Sequence, residues 1–514
     1  MNIYFQQYII VNNNFSDNMA NENKWGSNIA FILAMIGSAV GLGNIWRYPY
    51  VLYSNGGGAF YIPYLFAIIT LAIPFIILEY GVGYNYQASF TKAIVKLKPK
   101  FEVYGWLLPV GIFIMTIYYS TIIGWDGIYF FLSFFKGWGA DPNTFLNVNL
   151  LQATDSLSGV SNFIPFIAIF MLIGWFFILL ISRKNLDKGL GKVCKIFVPL
   201  LFIVMIIIVI FSLTLPGAYI GLAELFDPDW SLLWHFDIWM AAFGQIFFSL
   251  SLGMGAGFTY ASYTEDNIDL ISSGICVIIA NCAFENFAAL GVFSILGYMS
   301  LQSGAPISEI VSQGTTLIFV AYPQVFNILG IIGLILGPMF FFTVYIAGLT
   351  SILSSFEVLS ISIQNKFALT RRKAAGILCL VGALISMVYA TSSGGYILGI
   401  TDIFINNILV IFSVFVECIL FAWIFKAERL IDFMNGRSKT FKLGNWWLAH
   451  VKYIIPAILV VIWFGGLGEL LRLKTTDSVI ILTGLVLTLI IFSVILTRLP
   501  AKSKEWFETQ ERIK

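Results

Sequence analysis

Twelve runs of apolar residues, each long enough to cross about 30 Å of hydrocarbon, leave this chain of 514 residues little choice of fold. They lie near 26–53, 58–86, 104–135, 162–182, 191–215, 237–263, 271–300, 326–365, 370–392, 397–426, 446–471 and 478–498. A bilayer offers no water to unpaired backbone groups, so runs of this length must be helices. Hydrophobic residues make up 59% of the chain and charged ones 11%, which leaves no stretch for a soluble domain. The expected fold class is therefore an all-α integral membrane protein with twelve transmembrane helices. The five cysteines, Cys194, Cys276, Cys282, Cys379 and Cys418, fall in or beside these spans and are expected to be small buried hydrophobes, not a disulfide framework or a metal cluster. Residues 1–24 are polar and Asn-rich, unlike a signal peptide, and are read as an N-terminal arm; the first eighteen precede Met19.

Orientation follows from the cations. With the N-terminus inside, the cytoplasmic segments hold 25 of the 29 Lys and Arg residues, and only Arg47, Lys136, Arg472 and Lys474 are left for the other side. Loops that stay in the cytoplasm collect Lys and Arg, so both termini are expected there, in a multi-pass protein of the cell membrane.

Two spans are interrupted. Ile36 to Pro49 carries three glycines, a serine, an asparagine and an arginine within an apolar run, and Phe248 to Gly257 has the same character. Glycine weakens a helix by about 1 kcal/mol, and a helix broken at membrane depth persists where the freed backbone lines a polar cavity. The interrupted spans are the first and the sixth. A unit with an odd number of spans inserts its second copy upside down, so a five-plus-five inverted repeat is expected, spans 1–5 over 25–215 and spans 6–10 over 216–427, with the site at the midplane. Spans 11 and 12 (428–499) fall outside the repeat and are assigned to packing or a homodimer, ahead of a basic cytoplasmic tail at 500–514.

Gly-Ser-Ala-Val-Gly-Leu-Gly-Asn-Ile-Trp-Arg-Tyr-Pro (37–49), Asn-Gly-Gly-Gly-Ala-Phe (55–60), Gly-Gln-Ile-Phe-Phe-Ser-Leu-Ser-Leu-Gly (244–253) and Ala-Gly-Leu-Thr-Ser (347–351) resemble the signatures of the neurotransmitter:sodium symporter family. The resemblance runs from Lys24 to span 12 and implies a prokaryotic amino acid transporter similar to the bacterial leucine transporter. It implies two Na+ sites. The first takes the Ala39 carbonyl, Asn44, Ser249, Asn281 and the substrate's carboxylate. The second takes the carbonyls of Gly37, Val40 and Ala347 with the hydroxyls of Thr350 and Ser351. Oxygen ligands without fixed charge suit Na+, although Ser and Thr in membrane helices also bond back to their own helix and a lone Asn can join two helices.

By the same resemblance the substrate carboxylate meets the Leu42 and Gly43 amides and the Tyr119 hydroxyl. Helix N-termini hold anions through amides that lack partners. Gly41 stands where monoamine-carrying relatives have an aspartate, and so implies an α-amino acid, not an amine. The side-chain pocket is assigned to Ser38, Met115, Phe248, Ser251, Met254, Ser351, Ser354 and Ser355. Met fills irregular space and Ser leaves volume, which favours a large hydrophobic or aromatic substrate.

Arg47 and Asp402 match the pair that closes the outer path, and Glu79 the acid that braces the broken sixth helix. Glu285 lies one helical turn after Asn281. Chloride-dependent relatives have a serine there, completing an anion site with positions matching Tyr64, Gln245 and Ser249. A fixed carboxylate supplies that negative charge, so no chloride requirement is expected; a corollary is that Glu285 takes up a proton after Na+ leaves and carries H+ back. At the inner gate the chain departs from its relatives. Their arginine and aspartate read Glu22 and Asn365, while the aromatic partner, Tyr263, is kept. The gate is then weaker or rewired, through Lys24 or with Glu357 as a partner.

The expected function is Na+-coupled symport of an α-amino acid by alternating access. The alternatives are a non-transporting Na+-dependent amino acid receptor and a symporter of another small zwitterion, a betaine or a β- or γ-amino acid. The chain is not read as an enzyme, because His235 and His450 lie away from the interrupted helices. Na+, the amino acid and the bilayer are the expected partners, and nucleic acid is not.

Overall fold

The computed structural model describes residues 24–513 apart from 266–267, 312–313, 440 and 509–510. The arm through residue 23, with Met19 and Glu22, lies outside the described residues, as do Asp266 and Lys514. Among the described residues, ten continuous helices are long and apolar enough to cross a membrane: Gly57–Tyr86, Pro99–Ser133, Pro165–Ser182, Asp187–Leu213, Leu270–Ser303, Ile331–Phe367, Arg371–Tyr389, Gly394–Ile424, Asn445–Leu470 and Thr476–Arg498. Asn28–Ala39 and Leu42–Ser54 form a further span bent by 52°. The remaining one is span 6, whose halves Phe236–Ser249 and Ala256–Ser262 are each too short to cross alone.

Helix starts carry their own caps. Ser27 accepts the Ala30 amide, Asp269 the Ser272 amide, and Thr370 the Lys373 amide, which satisfies donors that the first turn leaves open. The breaks are equally local. Val40 and Gly41 are extended, and Ser251, Gly253 and Gly255 have φ of +51°, +67° and +75°. A side chain on Gly253 would also run into Val414, 1.7 Å from the Cβ position, so both conformation and space demand glycine.

Span 2 seats the second half of span 6. A Cβ on Gly83 would lie 2.2 Å from the Phe258 carbonyl oxygen, so the backbones touch there. Glu79 Oε2 sits 3.1 Å from the Cβ position of Gly257.

Three features differ from the sequence reading. Span 8 begins at Ile331, not 326, because the chain turns at Gly330 with φ +59° after a separate helix, Tyr322–Ile328. Cys276 is exposed on the flank of span 7 and Cys282 half-buried, since both occupy turns that face outward from the bundle; the other three cysteines are buried. The tail is not a free basic arm. Lys502 and Ser503 donate their amides to the Lys366 carbonyl, Trp506 stacks on Trp106, and Arg512 and Ile513 bond Asn85 through their amides. Beneath it Lys366 forms a buried 2.6 Å ion pair with Glu102.

Candidate functional site

The two breaks meet against spans 3, 7 and 8. The Gly41 amide donates to Asn44 Oδ1 at 2.9 Å, which fixes the start of the second half of span 1. Asn44 then spends its own amide on Asn281 Oδ1 (2.8 Å) and Glu285 Oε2 (3.2 Å), while Asn281 donates to Ser249 Oγ at 3.0 Å. Spans 1, 6 and 7 are thereby joined through side chains assigned to the first Na+ site. Ala39 is buried at the break beside them.

Gly37 faces span 8. Its Cβ position lies 3.3 Å from Thr350 Cβ. The Thr350 hydroxyl donates to the Ile346 and Ala347 carbonyls, each at 3.1 Å, the back-bonding ordinary in membrane helices. Its proton is committed there, and its oxygen keeps acceptor capacity. Val40, Ala347 and Thr350 are all buried.

The serines form one network. Ser38 Oγ donates to Ser354 Oγ at 2.8 Å, Ser354 Oγ to the Ser351 carbonyl at 2.6 Å, and Ser355 Oγ to the same carbonyl at 3.3 Å. The Ser38 carbonyl, freed by the break, accepts Ser251 and Ser351 hydroxyls at 3.3 and 3.4 Å. Met254 is buried and Met115 half-buried. At Gly41 the Cβ position meets Ser351 Oγ at 3.5 Å and Tyr119 Oη at 3.6 Å, ordinary contact distances, so both hydroxyls face the break with no side chain from residue 41 against them. Leu42 is buried beside it, and Gly43 packs flat on Phe248, whose ring atom would be 2.5 Å from an added Cβ.

Glu285 is fully buried at the head of the Asn281 turn. Tyr64 donates its hydroxyl to Oε1, and Gln245 donates to Oε2 at 3.1 Å. With Asn44 this gives three side-chain donors around one carboxylate, and Ser249 joins through Asn281. Buried charge is tolerated only with such partners.

The outer pair is brought near but not joined. Arg47 lies over the Phe248 ring at 4.6 Å, a cation–π contact. Asp402 instead accepts Tyr118 at 2.7 Å and Asn406 at 2.8 Å.

At the end of the bundle that holds Trp25 and Tyr263, a buried ion pair stands near the residues expected for a gate. Arg371 donates from Nη1 and Nη2 to the two oxygens of Glu357, both at 2.7 Å, and Tyr263 donates to Glu357 Oε1 at 2.7 Å. Trp25 closes over this cluster, its indole N–H on the Tyr260 carbonyl at 2.8 Å and its amide on that of Tyr263 at 3.2 Å. Asn365 is directed elsewhere: its Oδ1 accepts the Ser89 amide at 2.9 Å. The sequence reading missed Arg371, counting it only among the cytoplasmic cations. A carboxylate inside a span needs a cation, and the search for a Glu357 partner would have found it one loop away. Glu417, buried in span 10 near Glu79, was also passed over.

Comparison with known proteins places this geometry. The profile described as the Sodium:neurotransmitter symporter family matches residues 22–150 and 139–501. An uncharacterized sodium-dependent transporter of Methanocaldococcus jannaschii is 38% identical over 440 residues, covering 86% of this chain and 89% of that protein. The sodium- and chloride-dependent GABA transporter 2 of Mus musculus is 29% identical over 459 residues, covering 81% and 75%. The crystal structure of MhsT in complex with L-phenylalanine superposes with a TM-score of 0.73 at 28% identity, covering 86% of this chain and 99% of that one. These matches span both halves of the repeat and both broken helices, and the chain belongs to the sodium:neurotransmitter symporter family, as a sodium-coupled membrane transporter and not an enzyme.

Proposed function

We propose that this symporter carries an α-amino acid, large and hydrophobic or aromatic, with two Na+ ions and no chloride. The observation that carries the reading is that Gly41 sets no side chain against the Tyr119 and Ser351 hydroxyls, which suits recognition of a substrate carboxylate beside Asn44 and Asn281. The L-phenylalanine bound to MhsT supports an aromatic substrate. The proposed ligands are those named from the sequence: Ala39, Asn44, Ser249 and Asn281 for one Na+, and Gly37, Val40, Ala347, Thr350 and Ser351 for the other.

Glu285, with Tyr64, Gln245 and Asn44 donating to it, is proposed to serve as a built-in anion. In the same reading it is the group that carries a proton back. Arg47 and Asp402 form the outer gate, and Arg371, Glu357 and Tyr263 the inner one. Both termini are cytoplasmic, the repeats are 25–215 and 216–427, and spans 11 and 12, outside the repeat, serve packing or a homodimer. Two Na+ entering across about 100 mV and a roughly tenfold gradient release about 7 kcal/mol, enough for a substrate ratio of about 10⁵.

A γ-amino acid substrate is the second reading, supported by the likeness to a GABA transporter. Proteoliposomes with an inward Na+ gradient, given a labelled mixture of amino acids with chloride present or replaced by gluconate, separate the readings. Accumulation of phenylalanine-like substrates without chloride supports the first. Accumulation of γ-aminobutyrate alone supports the second, and Na+-dependent binding without accumulation would identify a receptor.

A further inference from the structure

At the end of the molecule that holds the basic loops, a cavity of about 760 Å³ opens between the turn joining spans 4 and 5 and the turn joining spans 8 and 9. Arg183, Lys184, Asn185, Lys188, Lys192 and Lys195 line it from the first turn, and Thr370 and Arg372 from the second. The one carboxylate on its wall, Asp187, is already engaged: Oδ1 accepts Lys195 Nζ at 3.0 Å and the Gly26 amide at 3.2 Å. Cations scattered on a convex surface are solvated separately and need no partner. With Lys195 paired to Asp187, the five others that converge on one concavity repel one another, and a bound anion relieves that repulsion.

The cavity is also amphipathic in its setting. Ile196 follows Lys195 directly, Phe176 lies two turns before Arg183 on the same face, and Ile377 about a turn and a half after Arg372; all three are exposed. Exposed apolar side chains that suit a bilayer thus lie within about two helical turns of the basic residues that line the cavity. A soluble phosphate has no use for that flank, whereas a phospholipid covers it with its acyl chains.

We propose that this cavity binds the phosphate headgroup of an anionic phospholipid from the leaflet at the basic face, with Arg183, Lys184 and Lys188 from the first turn and Arg372 from the second. Arg and Lys differ in their roles. The guanidinium fork of Arg372 matches two phosphate oxygens, and the lysines add point charges. Basic pockets between membrane helices take anionic headgroups in this way.

The test uses the full chain, reconstituted in vesicles of phosphatidylcholine alone or with phosphatidylglycerol, then extracted, with retained lipid counted by native mass spectrometry. Each basic residue near an anionic lipid contributes roughly a fivefold factor, so the triple exchange Arg183→Gln, Lys184→Gln, Lys188→Gln should weaken phosphatidylglycerol retention about a hundredfold. Arg372→Gln alone should weaken it about fivefold from the second turn. Equal retention by wild type and both variants overturns the proposal. So does inorganic phosphate displacing the lipid at equal headgroup concentration, which would assign the cavity to a soluble anion. Sodium-dependent phenylalanine binding, measured on the same samples, should be equal in wild type and variants, because none of the four residues touches the transport site. Absence of that binding in the wild type would count against the transport reading while leaving the lipid measurement intact.

Discussion

The carboxylate of Glu357 is clasped by both terminal nitrogens of Arg371, each at 2.7 Å, fourteen residues on along the chain and across the turn between spans 8 and 9. Tyr263 reaches the same carboxylate from the second half of span 6, so the ion pair joins spans 8 and 9 and a hydrogen bond ties it to the broken span. In the proposed inner gate, movement of span 6 would divide the Tyr263–Glu357 bond, while the ion pair holds Glu357 in place to receive it.

Removing one partner leaves a buried charge alone, which costs about 3–5 kcal/mol. Arg371→Gln is therefore expected to shift the resting protein toward the inner-open state. Hydrogen–deuterium exchange over residues 25–35 should rise, and Na+-dependent substrate binding should weaken. Arg371→Lys should not restore either, since an ammonium cannot make the two parallel bonds. Unchanged exchange in Arg371→Gln would make the pair a structural strut and not a gate.

Gly41 carries the substrate-class prediction. Gly41→Ala adds a Cβ in ordinary contact with Ser351 and Tyr119, at 3.5 and 3.6 Å, and should reduce amino acid affinity only modestly. Gly41→Asp places a carboxylate where the substrate's own would sit. Binding should fall by on the order of a hundredfold or more, from like charge in a buried site. Titration of labelled phenylalanine against both variants checks the order; equal losses would remove the carboxylate from this position.

Lys96 gives a pH signature outside the spans. It lies on the short helix Phe90–Leu97, where burial first, and then the neighbouring Lys92, lower its pKa to about 8. The unfolded value is about 10.4. Between these the unfolded chain binds more protons, so stability rises with pH across that window. The melting temperature of the purified protein should increase from pH 8 toward pH 10, and Lys96→Gln should flatten the rise. Part of it persists, because burial lowers the pKa of Lys92 as well. A melting temperature that falls over this range in the wild type would contradict the assignment.

Much of the site was legible because backbone breakage is written in residue type. Gly41, Gly253 and Gly255 interrupt apolar runs in company with polar residues, which sets them apart from glycines such as Gly83 that serve close helix packing. Asn281 and Glu285 were paired by their four-residue spacing, and both reach Asn44. What stayed hidden depended on contacts between segments with no periodic relation. Arg371 looks like any cytoplasmic cation until Glu357 is seen beneath it. The docking of Trp506 on Trp106 leaves no trace in the composition of the tail. The start of span 8 was misplaced because Phe326, Ile328 and Leu329 carry the apolar run up to the break, and hydropathy does not register the turn at Gly330.

In the proposed function Glu285 stands in for an anion. Its most direct test is Na+-driven amino acid uptake by wild type and Glu285→Ser, each with chloride present or replaced by gluconate. Wild-type uptake should be the same in both media, and Glu285→Ser should transport only with chloride. A Glu285→Ser variant that transports equally well without chloride, or a wild type that needs it, would contradict the claim.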